Sequence, residues 1–335
     1  MSSPTMEMVG KSDLSLTFPM QHSLLSCGMR VLIIGPGYVG LPLAVDLARR
    51  GHEVSALSRT ARNKPGLITA GIRDIEAAIT NLNSLLRLPA DWDWVVNCVS
   101  SSRGTLEDYR RVYLDGTRNL LNWLSKPPPQ KFVYTSSTGV YGQNDGSVVT
   151  EASSTTPESE TGRILVETEN TLLAAAREQQ FPAVILRVSG IYGPGREYWL
   201  KQFRDAEGEI EGSGERIINM VHRDDVVGAI MAALEKGEAG KIYNVTDDEP
   251  VSQQDLFSWL SENSKVQTPN SRETPNLKLQ KELQASSEIG EGKGRARKRA
   301  AANKRVSNTR LKIELGYRCK YPTFREGFAA SLSVR

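Results

Sequence analysis

Val31-Leu32-Ile33-Ile34-Gly35-Pro36-Gly37-Tyr38-Val39-Gly40 runs four apolar residues straight into a Gly-x-Gly-x-x-Gly. The apolar run suits a strand buried on both faces, and residues 41–50 read as an amphipathic helix. Each glycine has its own task in such a strand–turn–helix unit. Gly35 permits the tight turn, Gly37 lets the backbone approach a pyrophosphate, and Gly40 lets the helix pack closely on the strand. Phosphates would rest on N–H groups at the positive end of the helix. A glycine triplet alone is weak and also describes an ordinary glycine-rich turn. Context sharpens it, because a second strand over residues 53–57 follows, as a βαβ unit requires. Gly35, Gly37, Tyr38, Val39 and Gly40 are therefore the expected dinucleotide-binding residues.

What ends the second strand bears on cofactor choice. A site built for NAD usually places an acid there to hold the adenosine ribose hydroxyls. This chain offers Ser58 and Arg59, with Arg62 and Lys64 just beyond. A carboxylate repels a 2′-phosphate, whereas a guanidinium pairs with it in a charge-assisted way. NADP is the expected cofactor, with NAD left open, and Ser58 and Arg59 join the expected site. The plain alternative for Arg59 is a solvated loop charge.

Outward from this unit, strand-like and helix-like segments alternate. Residues 94–99 form a buried strand, 108–124 a helix stopped by Pro127, and 131–134 the next strand. Residues 162–179 are a long helix, followed by a strand at 183–188. Further on come residues 217–221, a helix at 224–234 and a strand at 241–245. Between the second strand and residue 94, the best register is a strand near 67–72 and a helix near 75–86. The expected fold is α/β: a doubly wound parallel (Rossmann) sheet with a smaller C-terminal substrate lobe, its ligand at the carboxyl ends of the strands. Residues 1–28 read as a disordered extension, with Met29 a conceivable second start. Residues 29–190 read as the NAD(P)-binding domain and 191–335 mostly as the substrate lobe. A polar, basic insertion occupies about 261–308, carrying Lys293, Arg295, Arg297, Lys298, Arg299, Lys304 and Arg305. Without aromatic residues that run reads better as a solvated insertion than as an anion-binding patch. Ser307 and Gly316 bracket a short helix, and Thr323 with Glu326 forms a capping box for the last one.

The totals exclude several classes. A net charge of +3 is too small to imply a nucleic-acid partner, and no apolar run reaches the roughly 20 residues of a membrane span. Cys27, Cys98 and Cys319 are odd in number and far apart, which argues against a disulfide framework or a metal site. They suit a reducing compartment, and a cytoplasmic location is expected.

Farther along stand Val133-Tyr134-Thr135-Ser136-Ser137-Thr138-Gly139-Val140-Tyr141-Gly142 and Arg187-Val188-Ser189-Gly190-Ile191-Tyr192-Gly193-Pro194-Gly195. Val221-His222-Arg223-Asp224-Asp225-Val226 and Tyr243-Asn244-Val245 follow. With the glycine turn, and in this order, they resemble the extended short-chain dehydrogenase/reductase superfamily, the NAD-dependent epimerase/dehydratase family. The likeness covers roughly residues 29–250. It implies an oxidoreductase or epimerase on a small polar substrate such as a nucleotide sugar, and it allows a homodimer. The wording Gly37-Tyr38-Val39-Gly40-Leu41-Pro42-Leu43-Ala44 is also similar to sugar-nucleotide 6-dehydrogenases, whose catalytic cysteine motif has no counterpart here.

The resemblance implies a Ser or Thr after the fifth strand and a Tyr-x-x-x-Lys on the following helix. Ser137 takes the serine position. The tyrosine and lysine positions hold Thr161 and Leu165, in a register supported by Gly162, Arg163 and Glu169. An aliphatic hydroxyl ionises far above the phenol value of about 10, so Thr161 is no acid/base substitute. Arg163, two positions before Leu165, faces another side of the helix. Other phenols, Tyr134, Tyr141 and Tyr192, and the imidazole of His222 are the remaining acid/base candidates, Tyr192 the first to test. Arg187, Arg196 and Arg223 are candidate contacts for a phosphate-bearing substrate. The departure from the pattern keeps a second expectation open, a catalytically inactive NADP(H)-binding sensor or scaffold.

Overall fold

The computed structural model describes residues 28–60, 65–101, 105–196, 198–205, 213–263 and 303–332, together with Met1 and Ile210. Its centre is a seven-stranded, wholly parallel sheet in the order β11-β7-β5-β4-β1-β2-β3. These strands are β1 (Arg30–Ile34), β2 (Glu53–Ser58), β3 (Arg73–Glu76), β4 (Trp94–Asn97), β5 (Lys131–Ser137), β7 (Ala183–Val188) and β11 (Ile242–Val245). The strand order reverses between β1 and β4, which opens the crevice where doubly wound sheets bind ligands.

Strand alternation builds the two layers. Val31 and Ile33 of β1 point into one core with Leu43 and Leu47 of helix α1 (Gly40–Arg49) and Ile230 of α8 (Arg223–Lys236). Leu32 and Ile34 point into the other, with Leu120 of α5 (Gly116–Trp123) and Leu172 of α6 (Glu160–Gln179). All four β1 residues are fully buried, so the apolar run reads as continuous rather than alternating.

Two short elements reverse the sequence-based register. Residues 65–69 form helix α2 (Pro65–Thr69), and the strand is β3 at Arg73–Glu76. Helix α3 is only Leu82–Leu85, capped by Asn81. β3 is an edge strand that buries Ile75 between polar neighbours, so its apolar signal is a single residue. The helix expected over 108–124 is composite: α4 (Leu106–Arg110), one π-helical turn (Arg111–Asp115) and α5. Thr105 and Asp108 form a capping box at its start.

Beyond β7 a third apolar cluster joins Tyr192, Leu200, Phe257, Leu260, Phe324 and Phe328. It is assembled from β8 (Gly190–Tyr192), α7 (Tyr198–Asp205), α9 (Gln253–Asn263) and the last helix Phe324–Leu332. Two two-stranded pairings tie it down, β8 with β10 (Met220–His222) and β9 (Ile217–Ile218) with β12 (Val251–Ser252), while a third, β6 (Val148–Val149) with β13 (Arg305–Val306), packs with Val140, Tyr141 and Leu165 in a separate cluster.

The last pairing changes the reading of the basic run. Lys293, Arg295, Arg297, Lys298 and Arg299 lie outside the described residues, but Lys304 and Arg305 belong to the packed structure. Lys304 is buried, and its Nζ donates to the Tyr141 carbonyl at 2.8 Å. Asn219 accepts from the Val306 N–H and donates to the Lys304 carbonyl, each at 2.8 Å. Asn308, not Ser307, is the N-cap residue of the next helix, Thr309–Glu314, and its side chain is directed elsewhere, but the Ser307 hydroxyl still accepts from the Thr309 N–H at 3.3 Å.

Candidate active site

Gly35 leaves β1 with φ +88°, and its N–H donates to the Leu57 carbonyl of β2 at 2.9 Å. A Cβ there would stand 3.0 Å from the Cα of Val99, just past β4. The turn is thus wedged between the ends of its two neighbouring strands. A Cβ on Gly40 would fall 2.3 Å from the Gly35 carbonyl oxygen and 2.8 Å from the Cys98 sulfur. At Gly37 a Cβ would meet nothing closer than 3.9 Å. The space over Gly37 is open, as a pyrophosphate resting on bare backbone needs. Val39, the N-cap of α1, brings no side-chain acceptor to the helix start. These features fit a dinucleotide, which Gly35, Gly37, Tyr38, Val39 and Gly40 would hold.

At the end of β2, Arg59 is exposed, while the Ser58 hydroxyl donates to the Thr60 carbonyl at 3.0 Å. Arg62 and Lys64 lie outside the described residues.

The C-terminal lobe reaches this turn at Tyr38. The guanidinium carbons of Arg196 and Arg223 each lie 5.5 Å from the centre of its ring. Arg223 is also paired with Asp224 at 2.8 Å. Gly193 has φ +135°, and a Cβ there would stand 2.9 Å from His222 Nε2 and 3.2 Å from the Tyr38 hydroxyl. His222 is buried and caps α8, its Nδ1 accepting from the Asp224 N–H at 3.2 Å. Burial lowers its pKa, opposed by Asp224 and assisted by Arg223 and Lys320.

At the end of β5, the Ser137 hydroxyl accepts from the Gly139 N–H at 3.1 Å and closes a 3-10 turn, Thr138–Val140. Helix α6 starts against that turn. Ser159 caps it by accepting from the Gly162 N–H at 3.1 Å, and a Cβ on Gly162 would lie 2.9 Å from the Gly139 carbonyl. Thr161 sits half-buried in this first turn, and the exposed Arg163 points away. Leu165, one turn on, is packed among Val140, Tyr141, Val149 and Val306. The position where the resemblance implies a lysine is therefore an apolar plug.

Several candidates have internal work instead. Arg187 does not reach out to a substrate: it is buried, with Nη2 2.7 Å from Glu169 Oε2 and Nη1 2.9 Å from the Tyr141 hydroxyl. Ser136 donates to the other Glu169 oxygen at 2.5 Å, and Tyr141 donates to Asn244 Oδ1 at 2.7 Å. Tyr192 is buried under Phe328, its hydroxyl donating to the Thr323 carbonyl at 3.4 Å, and burial drives its pKa far up. Tyr134 is likewise sealed in the core, with its pKa raised by burial. Pairing accounts for Arg187 and Tyr141, and packing for Tyr192 and Tyr134.

Two tyrosines escaped sequence reading. Tyr109 and Tyr113, half-buried on the composite helix, lie with ring centres 4.3 Å apart and planes tilted by 37°, and the Tyr113 hydroxyl accepts from the Ser101 N–H at 3.1 Å. An i, i+4 aromatic pair on an amphipathic helix looks like core, so only their spacing could have drawn notice. Among the described residues no three His, Cys, Asp or Glu side chains cluster as a metal site, and no helix is long and apolar enough to cross a membrane.

The model of the NAD dependent epimerase/dehydratase family matches residues 31–246. Protein YeeZ of Escherichia coli K12 is 27% identical over 303 residues, covering 88% of this chain and 96% of that protein. The 3-diazoavenalumate denitrifying reductase of a Streptomyces species is 26% identical over 325 residues, 89% of this chain and 99% of the reductase. A solved structure from Methylobacillus flagellatus superposes with a TM-score of 0.67 at 29% identity, over 91% of this chain and 98% of that one.

Proposed function

The chain belongs to the NAD-dependent epimerase/dehydratase family, and on that premise we propose an NADP(H)-dependent oxidoreductase, or an epimerase working by the same hydride chemistry, on a small polar substrate such as a nucleotide sugar. One observation carries the reading. Arg196 and Arg223 flank Tyr38, so two cations of the substrate lobe stand beside the glycine turn that would hold the cofactor. That arrangement suits an anionic substrate brought next to a dinucleotide. The end-to-end likeness to a Streptomyces reductase supports the oxidoreductase half. Exposed Arg59, in a stretch 57–64 that itself carries no acid, favours the 2′-phosphate of NADP.

Such a cofactor supplies hydride transfer when bound. The chain's own residues do the rest. Gly37 keeps a side chain clear of the pyrophosphate while Gly35 and Gly40 hold the tight turn and its helix in place, Ser137 orients the substrate oxygen, and Arg196 and Arg223 hold the anionic end. The test is NADPH oxidation followed at 340 nm with a panel of carbonyl compounds and nucleotide sugars. Turnover that Ser137→Ala abolishes supports the reading. Tight NADPH binding without turnover on any compound sinks it.

That second outcome is what a non-catalytic NADP(H) sensor gives. The buried Leu165, which leaves no room for the usual lysine, favours this alternative.

A further inference from the structure

We infer that Tyr113, backed by Tyr109, is the proton donor to the substrate oxygen, in place of the tyrosine missing at Thr161. The inference rests on the reductase reading above. Four features of the fold converge on it.

Tyr113 stands at the wall of the cofactor crevice. Its hydroxyl accepts from the N–H of Ser101, in the short segment leaving β4, and Val99 of that segment abuts Gly35. The same side chain packs against the cluster of Val140 and Leu165, the turn after Ser137 and the plugged lysine slot. It therefore bridges the dinucleotide turn and the position where the substrate oxygen would sit.

Tyr113 also remains partly exposed, whereas Tyr134, Tyr141 and Tyr192 are sealed. Burial raises the Tyr113 phenol above its ordinary value, opposed by the Ser101 N–H and by a hydrogen bond with Tyr109. A neutral O–H is then ready to donate near pH 7, and both hydrogen bonds stabilise the phenolate left behind. Tyr113 lies within the π-helical turn Arg111–Asp115. Such turns recur at functional sites because they re-aim side chains out of helical register.

The step balances as a carbonyl reduction. A bound reduced nicotinamide would supply the hydride to the carbonyl carbon; as the C=O π pair moves onto oxygen, the Tyr113 O–H bond breaks and its proton goes to that oxygen. The carbonyl becomes an alcohol, its two electrons would come from the cofactor, and the phenolate regains a proton from water through Tyr109.

Two readouts test it. In Tyr113→Phe, which keeps the ring, kcat should fall about 100-fold or more, with NADPH affinity by fluorescence within about threefold of native. Tyr109→Phe should lower kcat less and leave NADPH affinity alone. Independently of turnover, ultraviolet titration near 295 nm should show one phenol whose ionisation moves to lower pH when NADP+ binds, and Tyr113→Phe should lack it. Native turnover that survives Tyr113→Phe, or an NADP+-sensitive phenol that persists in the variant, overturns the assignment and leaves the reductase reading intact. A native protein that binds NADPH but reduces nothing overturns both.

Discussion

Arg187 lies across the buried carboxylate of Glu169, with Nη2 2.7 Å from Oε2 and Nε 3.1–3.2 Å from both oxygens. The pair bolts α6 to β7 and thereby holds the first turn of α6 against the turn after Ser137. Removing one partner leaves an uncompensated charge away from water, which costs about 3–5 kcal/mol. Arg187→Leu should lose stability on that scale in urea unfolding, whereas a substrate-binding arginine would change KM and leave stability nearly untouched.

The glycines separate folding from cofactor binding. Gly40→Ala puts a Cβ 2.3 Å from the Gly35 carbonyl, so both thermal stability and NADPH affinity should fall. Gly37→Ala meets nothing within 3.9 Å, so the free protein should melt within about a degree of native. Its methyl group fills the space a pyrophosphate needs, so NADPH binding should weaken at least tenfold, about 1.4 kcal/mol. Native-like NADPH affinity in Gly37→Ala would place the phosphates elsewhere.

Cofactor preference should follow residue 59. A charge-assisted hydrogen bond contributes about 1.5–3 kcal/mol. Arg59→Asp should therefore weaken NADPH binding roughly 10- to 100-fold and improve NADH binding, as read by paired fluorescence titrations. An unchanged ratio of the two affinities removes Arg59 from the site.

His222 gives a pH signature. Burial holds its folded pKa below the usual value, so the unfolded chain binds the proton more readily. The native protein should lose stability as pH falls from about 6.5, the ordinary histidine value, towards the lower folded pKa. Above that window the effect vanishes. His222→Asn keeps a side-chain acceptor for the Asp224 N–H and should flatten the slope of urea midpoints between pH 7 and 5. An identical slope in both proteins refutes the assignment to His222.

Legibility followed local chemistry. The glycine turn, with the apolar strand before it and the helix after it, was readable because each glycine answers a steric demand made within a few residues. Leu165 was legible as a departure from the pattern the resemblance implies, since leucine in place of lysine is a statement about residue type. Residues 64–90 misled because Leu67-Ile68-Thr69 looks strand-like, while the edge strand Arg73–Glu76 needs only one buried face and shows only Ile75. Arg187 resembled a substrate contact because a sequence does not show that Glu169, 18 residues earlier, meets it inside the core.

The sequence by itself determined the parallel doubly wound sheet and its glycine turn. It also placed Thr161 and Leu165 where the resemblance implies a tyrosine and a lysine, because backbone geometry and side-chain chemistry are properties of each residue and its near neighbours. Only the tertiary structure decided which charges are spent internally and which stand near the crevice. Arg187 is consumed by Glu169, Lys304 is drawn into the core from beyond residue 300, and Arg196 and Arg223 arrive beside Tyr38. Desolvation and pairing depend on partners far away in the chain, so the same residue type becomes a brace in one place and a candidate ligand contact in another. The opening glycine turn keeps its meaning, and what gathers around it is set by folding.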